Sequence, residues 1–213
     1  MDDTLRRYTE LPYLIDFLCT KELCLLSPKT WDDRNDAYYV DLYAKRANHT
    51  AVYALCLTEA SETYHHWKVF SPGSSGVCIE FDKEHLINWA GTVERLRGES
   101  VKYRTLGKMR DQPPLFEELP FLKRHAFADE MEFRLFYACS EDQIKPKRFP
   151  IDLSIVRRIV LNPWLPRSVA THVKTAIQAI EGCSTLKVHK STLVDNQAWK
   201  ELAEVGHGTE TST

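Results

Sequence analysis

Between Ala128 and Cys139 the chain reads ADEMEFRLFYAC, with Glu130, Glu132 and Arg134 at every second position and Met131, Phe133 and Leu135 between them. Period two is the signature of a strand, whose successive side chains point to opposite faces. One face would then carry two carboxylates and a guanidinium while the other packs an apolar trio into a core. Phe133, Leu135, Phe136 and Tyr137 give the strand an interior character, so its charges point either to solvent or into a cleft. Like charges two apart raise each other's pKa, a cost that Arg134 beside them offsets. An ordinary ion-pair ladder on an exposed strand fits the same letters.

The surrounding segments place this strand in a mixed fold. Leu11, Leu14, Ile15 and Leu18 predict a helix from Leu11 to Glu22, and the apolar run from Leu23 to Ser27 predicts a strand that stops at Pro28. A polar turn, KTWDDRNDAYY, leads to a helix from Tyr38 to Ala47 and a strand from Ala51 to Thr58. The SPGSSG turn introduces a strand from Val77 to Asp82, followed by a helix from Lys83 to Trp89. A short strand is expected from Val101 to Leu106, then an irregular loop up to Pro120. A strand from Arg157 to Asn162, a helix between Pro166 and the stop signal Gly182, and a last strand in STLKVHKS complete the series. There is no regular βαβ rhythm and no GxGxxG or GxxxxGK loop. The expected class is α+β, a largely antiparallel and possibly split sheet flanked by helices. Met1 to Val205 reads as a single domain, with residues 206–213 a disordered tail.

Charge narrows the function classes. With 28 Lys and Arg against 30 Asp and Glu, the net charge is -2, so there is no global basic surface of the kind nucleic-acid binding leaves, although a local patch is compatible. No apolar run reaches membrane-spanning length, and MDDTLRRY lacks the basic start and apolar segment of a secretory signal, so a cytoplasmic protein without a membrane partner is expected. The six cysteines form no CxxC pair and have no His at zinc spacing; five lie in apolar stretches and read as buried free thiols. No metal is expected.

Three segments carry further candidates. In LRRYTEL, Arg6, Arg7, Tyr8 and Thr9 precede a helix, where an arginine and free backbone N–H groups can hold an anion, or simply form a solvated turn. In SPKTWDDRND, Asp32, Asp33 and Asp36 lack the calcium-loop pattern, and helix capping or turn formation explains them as well. In TYHHWKVFSPGSSGVCIEFD, Trp67 and Phe70 either wall a pocket that stacks a planar ring or pack into the core.

Taken in order, LRRYTEL, LLSPKTWDDRND, ALCLTEAS with HHWKVFSPGSSGVCIEFD, VKY and LKRHAFADEMEFRL resemble the successive motifs of the mostly bacterial domain of unknown function 2971 family, over nearly the whole chain. The chain departs from that pattern at WDDRND, where Asn-Asp-Pro is commoner, at Phe70 for Tyr and at Phe127 for Trp. In looser topological order it is also similar to the mono-ADP-ribosyltransferases: an early Arg, a strand ending in Ser, and a late Glu-x-Glu strand. That second resemblance implies NAD as substrate. It implies Glu132 as the carboxylate that stabilises an oxocarbenium-like ribose, Glu130 as orienter or base for the acceptor, and Arg7 on the pyrophosphate. Tyr8 or Trp67 would stack on nicotinamide or adenine, Thr9 and Ser27 would bind nearby, and Arg134 would hold Glu132 ionised. The partners it implies are an acceptor, macromolecular or small, and, for a toxin acting in conflict or phage defence, an antitoxin or other partner protein; no residue pattern sets an oligomeric state. Two readings from other classes stand beside it: a noncatalytic nucleotide- or protein-binding module, and a hydrolase using the paired glutamates as acid and base.

Overall fold

The structure, a computed structural model, describes residues 3–140 and 146–206. Its strands are β1 (Thr4–Glu10), β2 (Glu22–Leu25), β3 (Ala51–Thr58), β4 (Gly76–Asp82), β5 (Leu96–Ser100), β6 (Lys102–Arg104), β7 (Leu122–Arg124), β8 (Glu132–Cys139), β9 (Lys147–Pro150), β10 (Val156–Leu161) and β11 (Val188–Lys190). The helices are α1 (Leu11–Thr20), α2 (Arg34–Arg46), α3 (Tyr64–Phe70), α4 (Lys83–Thr92), α5 (Leu106–Asp111), α6 (Arg167–Gln178) and α7 (Gln197–Gly206).

Seven strands form one sheet in the order β11-β10-β4-β1-β3-β8-β5. All its pairings are antiparallel except β10 with β11. The expected α+β class with a largely antiparallel sheet is what the chain adopts. One face of the sheet carries Leu5, Leu55, Ile79, Leu135 and Ile159 and is covered by Leu14 and Leu18 of α1, Leu86 of α4 and Ile177 of α6. The other face divides in two. Val52, Ala54 and Phe136 pack against Val40 and Tyr43 of α2, and Cys78 and Val160 pack against Trp67 of α3. The gap between these two small cores is where polar side chains gather.

The gap has a cause in the strand pairing. β1 runs along β4 from Thr4↔Asp82 to Glu10↔Gly76, but meets β3 only at Arg6↔Thr58. Further along, β3 is met by Leu26, through a two-way backbone bridge with Ala54. The sheet is thus split in its middle.

Several local expectations need correcting. The strand begins at Glu132, because Ala128–Glu130 belong to a 3-10 helix (His125–Glu130) closed by Met131 in the left-handed region at φ 43°. Glu130 therefore does not share a strand face with Glu132, and Met131 is exposed rather than in the core. The polar turn is shorter than expected, since α2 starts at Arg34. Asp33 caps it, accepting from the N–H groups of Asn35 at 3.0 Å and Asp36 at 3.4 Å. Asp33→Ala should cost about 1 kcal/mol in urea unfolding, and Asp33→Asn, which keeps the acceptor, should cost less than half of that. The expected loop to Pro120 holds α5 and a 3-10 helix (Phe116–Phe121). Of the six free thiols only Cys78, Cys139 and Cys183 are buried, while Cys19 and Cys56 are exposed. α7 reaches Gly206, and the tail expected beyond it lies outside the described residues, as do residues 141–145.

Candidate functional site

Where β1 and β3 part, a cavity of about 430 Å³ opens on the α2 and α3 face. The sheet supplies Arg6, Tyr8, Cys56, Thr58 and Glu132; the segment leading into α2 supplies Trp31, Asp32, Asp33 and Asp36; α3 supplies Val69 and Phe70. Lys123 of β7, with Phe127 and Glu130 of the following 3-10 helix, closes the remaining side.

Glu132 is the best-held group in it. Arg134 lies two residues on along β8, so both side chains leave the same face. Its Nε donates to Glu132 Oε1 at 2.7 Å and its Nη2 to Oε2 at 3.0 Å. Arg134 is fully buried and spans to α2, where Nη1 and Nη2 donate to the two oxygens of Asp36 at 2.9 and 2.7 Å; Nη1 also donates to the Pro120 carbonyl at 2.7 Å. The Trp31 ring covers the guanidinium at 4.6 Å. The Glu132 N–H donates to the Tyr103 hydroxyl at 2.8 Å. Burial alone would push the Glu132 carboxyl upward, but Arg134 and Lys123 outweigh it and bring the carboxyl down to about 2. Glu130 moves the other way, because burial raises it more than Lys123 lowers it.

The α3 side is fixed by a buried imidazole. His66 Nδ1 meets Thr63 Oγ1 at 2.5 Å, and Tyr8 stacks on the ring with centroids 5.6 Å apart. Burial lowers the His66 pKa, so the ring is neutral at physiological pH. The Thr58 hydroxyl donates to the Glu130 carbonyl at 2.6 Å, which anchors the 3-10 helix to the end of β3.

Of the residues singled out by sequence, Glu130, Glu132, Tyr8, Arg6, Phe70 and the three aspartates Asp32, Asp33 and Asp36 line the cavity, and Arg134 lies buried behind it. Trp67 is core: it is fully buried, its Nε1 donates to Glu62 at 2.7 Å, and Tyr8 meets it edge-on at 5.0 Å. Arg7, Thr9 and Ser27 do not line the cavity. Ser27 caps the short 3-10 helix Pro28–Thr30, and the Thr9 carbonyl accepts from Ser71 Oγ at 2.8 Å. Strand alternation turns Arg7 to the face opposite Arg6, beside Ile79 in register, and its guanidinium has no hydrogen bond or ion pair among the described residues.

Sequence reasoning passed over Lys123, Trp31 and Tyr103, and of the two arginines in LRRYTEL it gave the site role to Arg7, whereas a core Leu5 turns Arg6 to the cavity face. Lys123 had no signal: it sits on a three-residue strand, beyond the range of any periodicity. Among the described residues, no group of His, Cys, Asp and Glu is arranged to hold a metal ion, and no helix is long and apolar enough to cross a membrane.

No family model and no curated protein matches the chain, so the resemblance to the domain of unknown function 2971 family has no support from those comparisons. Among solved structures, Thermus sp. 2.9 DarT in complex with ADP-ribosylated ssDNA is similar at 11% identity with a TM-score of 0.47, over 89% of this chain and 94% of that one. The same protein in complex with carba-NAD+ matches at 12% identity and TM-score 0.45, and in complex with NAD+ at 12% and 0.41, each over 89% of this chain and 95% of that one. Likeness at this level carries no argument about activity.

Proposed function

We propose that the chain is a glycosyltransferase of the ADP-ribosyltransferase type, which uses NAD+ as substrate and passes ADP-ribose to an acceptor. The observation that carries this reading is Glu132: a carboxylate held ionised by a buried arginine, in the wall of an aromatic-lined cavity, where the sheet splits.

The cavity suits a planar cation. Tyr8, Trp31, Phe70 and Phe127 offer ring faces and edges, and five carboxylates line it against Arg6 and Lys123. Arg6 is already committed, its Nε donating to Glu80 at 3.1 Å. The nicotinamide ring of NAD+ is both planar and positively charged, which matches this lining. In the reaction the bond between nicotinamide and ribose breaks, the electron pair leaving with neutral nicotinamide. Positive charge grows on the ribose, and a carboxylate that accepts from a ribose hydroxyl stabilises it. The acceptor forms the new bond to that carbon and gives its proton to Glu130.

A carboxyl with a pKa near 2 holds no proton at neutral pH, so a paired-glutamate hydrolase would have to use Glu130, which burial raises, as its acid. Six free cysteines support a reducing, cytoplasmic setting. Depletion of NAD+ or modification of an acceptor there would make the protein a toxin held in check by a partner protein.

The direct test is incubation of purified protein with NAD+ labelled in the adenosine, following nicotinamide by chromatography and label on candidate acceptors. Nicotinamide release well above the protein-free rate is expected. Tight NAD+ binding with no release under any acceptor would leave the noncatalytic module instead.

A further inference from the structure

We propose that Lys123 is a positioning residue, the tie that sets Glu130 beside Glu132 so that one carboxylate serves the ribose and the other the acceptor; this rests on the transferase reading above.

Because Met131 turns through the left-handed region between them, no strand parity aligns the two carboxyl groups. A side chain does it instead. Lys123 Nζ donates to Glu130 Oε2 at 2.5 Å and to Glu132 Oε2 at 3.3 Å, and lies 3.9 Å from Asp36 Oδ2. An ammonium has three N–H donors, and three carboxylates surround this one. Its position is set by β7, which pairs Lys123 with Tyr103 of β6, and by the Phe127 ring 5.0 Å away. The two glutamates depend on it unequally. Glu132 keeps both oxygens on Arg134 without Lys123. The Glu130 carboxylate has Lys123 as its one side-chain hydrogen-bond donor among the described residues.

The groups facing Glu130 are Lys123 of β7, Glu132 of β8, Asp36 of α2, the Tyr103 hydroxyl of β6 and the neutral His66 of α3. Without the ammonium, the nearest charges are two carboxylates, and the remaining cation, Arg134, is spent on them. A carboxyl in that position takes up a proton and can no longer accept one from the acceptor.

The test is a titration of protein labelled with 13C at the glutamate carboxyls, the Glu130 signal being assigned by its absence in Glu130→Gln. In Lys123→Met the Glu130 midpoint should rise by about one pH unit or more, and in Lys123→Arg it should stay near the wild-type value. The acid limb of the pH–rate profile for ADP-ribose transfer should move by the same amount, whereas a merely structural role would lower the rate equally at every pH. An unchanged midpoint in folded Lys123→Met overturns the proposal. Should that variant not fold, Lys123→Gln, which keeps a donor without charge, decides in its place. Wild-type protein that fails to release nicotinamide would sink the transferase reading, and the titration would still decide whether Lys123 governs Glu130.

Discussion

Replacing Arg134 by methionine should lower the unfolding free energy by about 3–5 kcal/mol, the usual cost of removing one partner from a buried ion cluster. Few domains have more than about 5–15 kcal/mol to lose. The arginine is fully enclosed, and five of its N–H···O contacts end on Glu132, Asp36 and the Pro120 carbonyl. Methionine fills much of the same volume, so what the substitution removes is charge. It leaves Glu132 and Asp36 buried, with Lys123 the one cation among the described residues left in ion-pair range of them. Urea unfolding at pH 7 measures the loss, and a loss under 1 kcal/mol would show that the cluster contributes no more than a surface pair.

The same cluster sets a pH dependence. The Glu132 carboxyl is lowered from 4.5 to about 2 on folding, so its contribution is fully present above pH 4.5 and is lost as pH falls toward 2. A shift of that size corresponds to about 3 kcal/mol. The wild-type protein should therefore lose stability steeply across this acid window, and Arg134→Met, which removes the main cause of the shift, should show a shallower slope there.

Glu132→Gln is expected to reduce nicotinamide release by about 100- to 1,000-fold, the range typical of removing one electrostatic contact to a charge that develops in the transition state. The amide is nearly isosteric with the carboxylate but carries no charge to offer a ribose cation. Its oxygen can still accept from Arg134, and Asp36 still holds that arginine from the far side. The variant should bind NAD+ within a few-fold of wild type, so the loss falls on the rate under saturation. If expression of the wild-type chain arrests growth, the Gln variant should relieve it. A variant that turns over NAD+ as fast as wild type would remove Glu132 from the chemistry and with it the reading of the cavity.

How much of this could be read from the letters varied by element. Strands with long apolar stretches, β3, β4 and β10, were legible because their residues pack on both sides of a sheet. α1 and α6 declared themselves by helical spacing. β5, β7, β9 and α7 did not, being short or polar, and their ends are set by partners far along the chain. In the site, the Glu132–Arg134 pair followed from period two. Glu130 reached the same cavity by another route, through a turn that the alternation concealed and a lysine nine residues before Glu132. Asp36 was visible only as one of three turn carboxylates, since the arginine it neutralises lies 98 residues away. Arg7 and Arg6 show the limit of motif reading: the letters give a pair, and only the packing of Leu5 says which faces the cavity.

The lone rung at Arg6 and Thr58 also has a mechanical meaning. Each half-sheet is braced by long ladders, β1 with β4 on one side and β3 with β8 on the other, whereas β1 meets β3 at one register position, Leu26 taking the place beside β3 further along. Compliance in such an assembly concentrates at the seam, and Arg6 and Thr58 both border the cavity. A guest wedged between the halves would work against the weakest stitching in the fabric, so adjusting the width of the cleft need not disturb the braced halves.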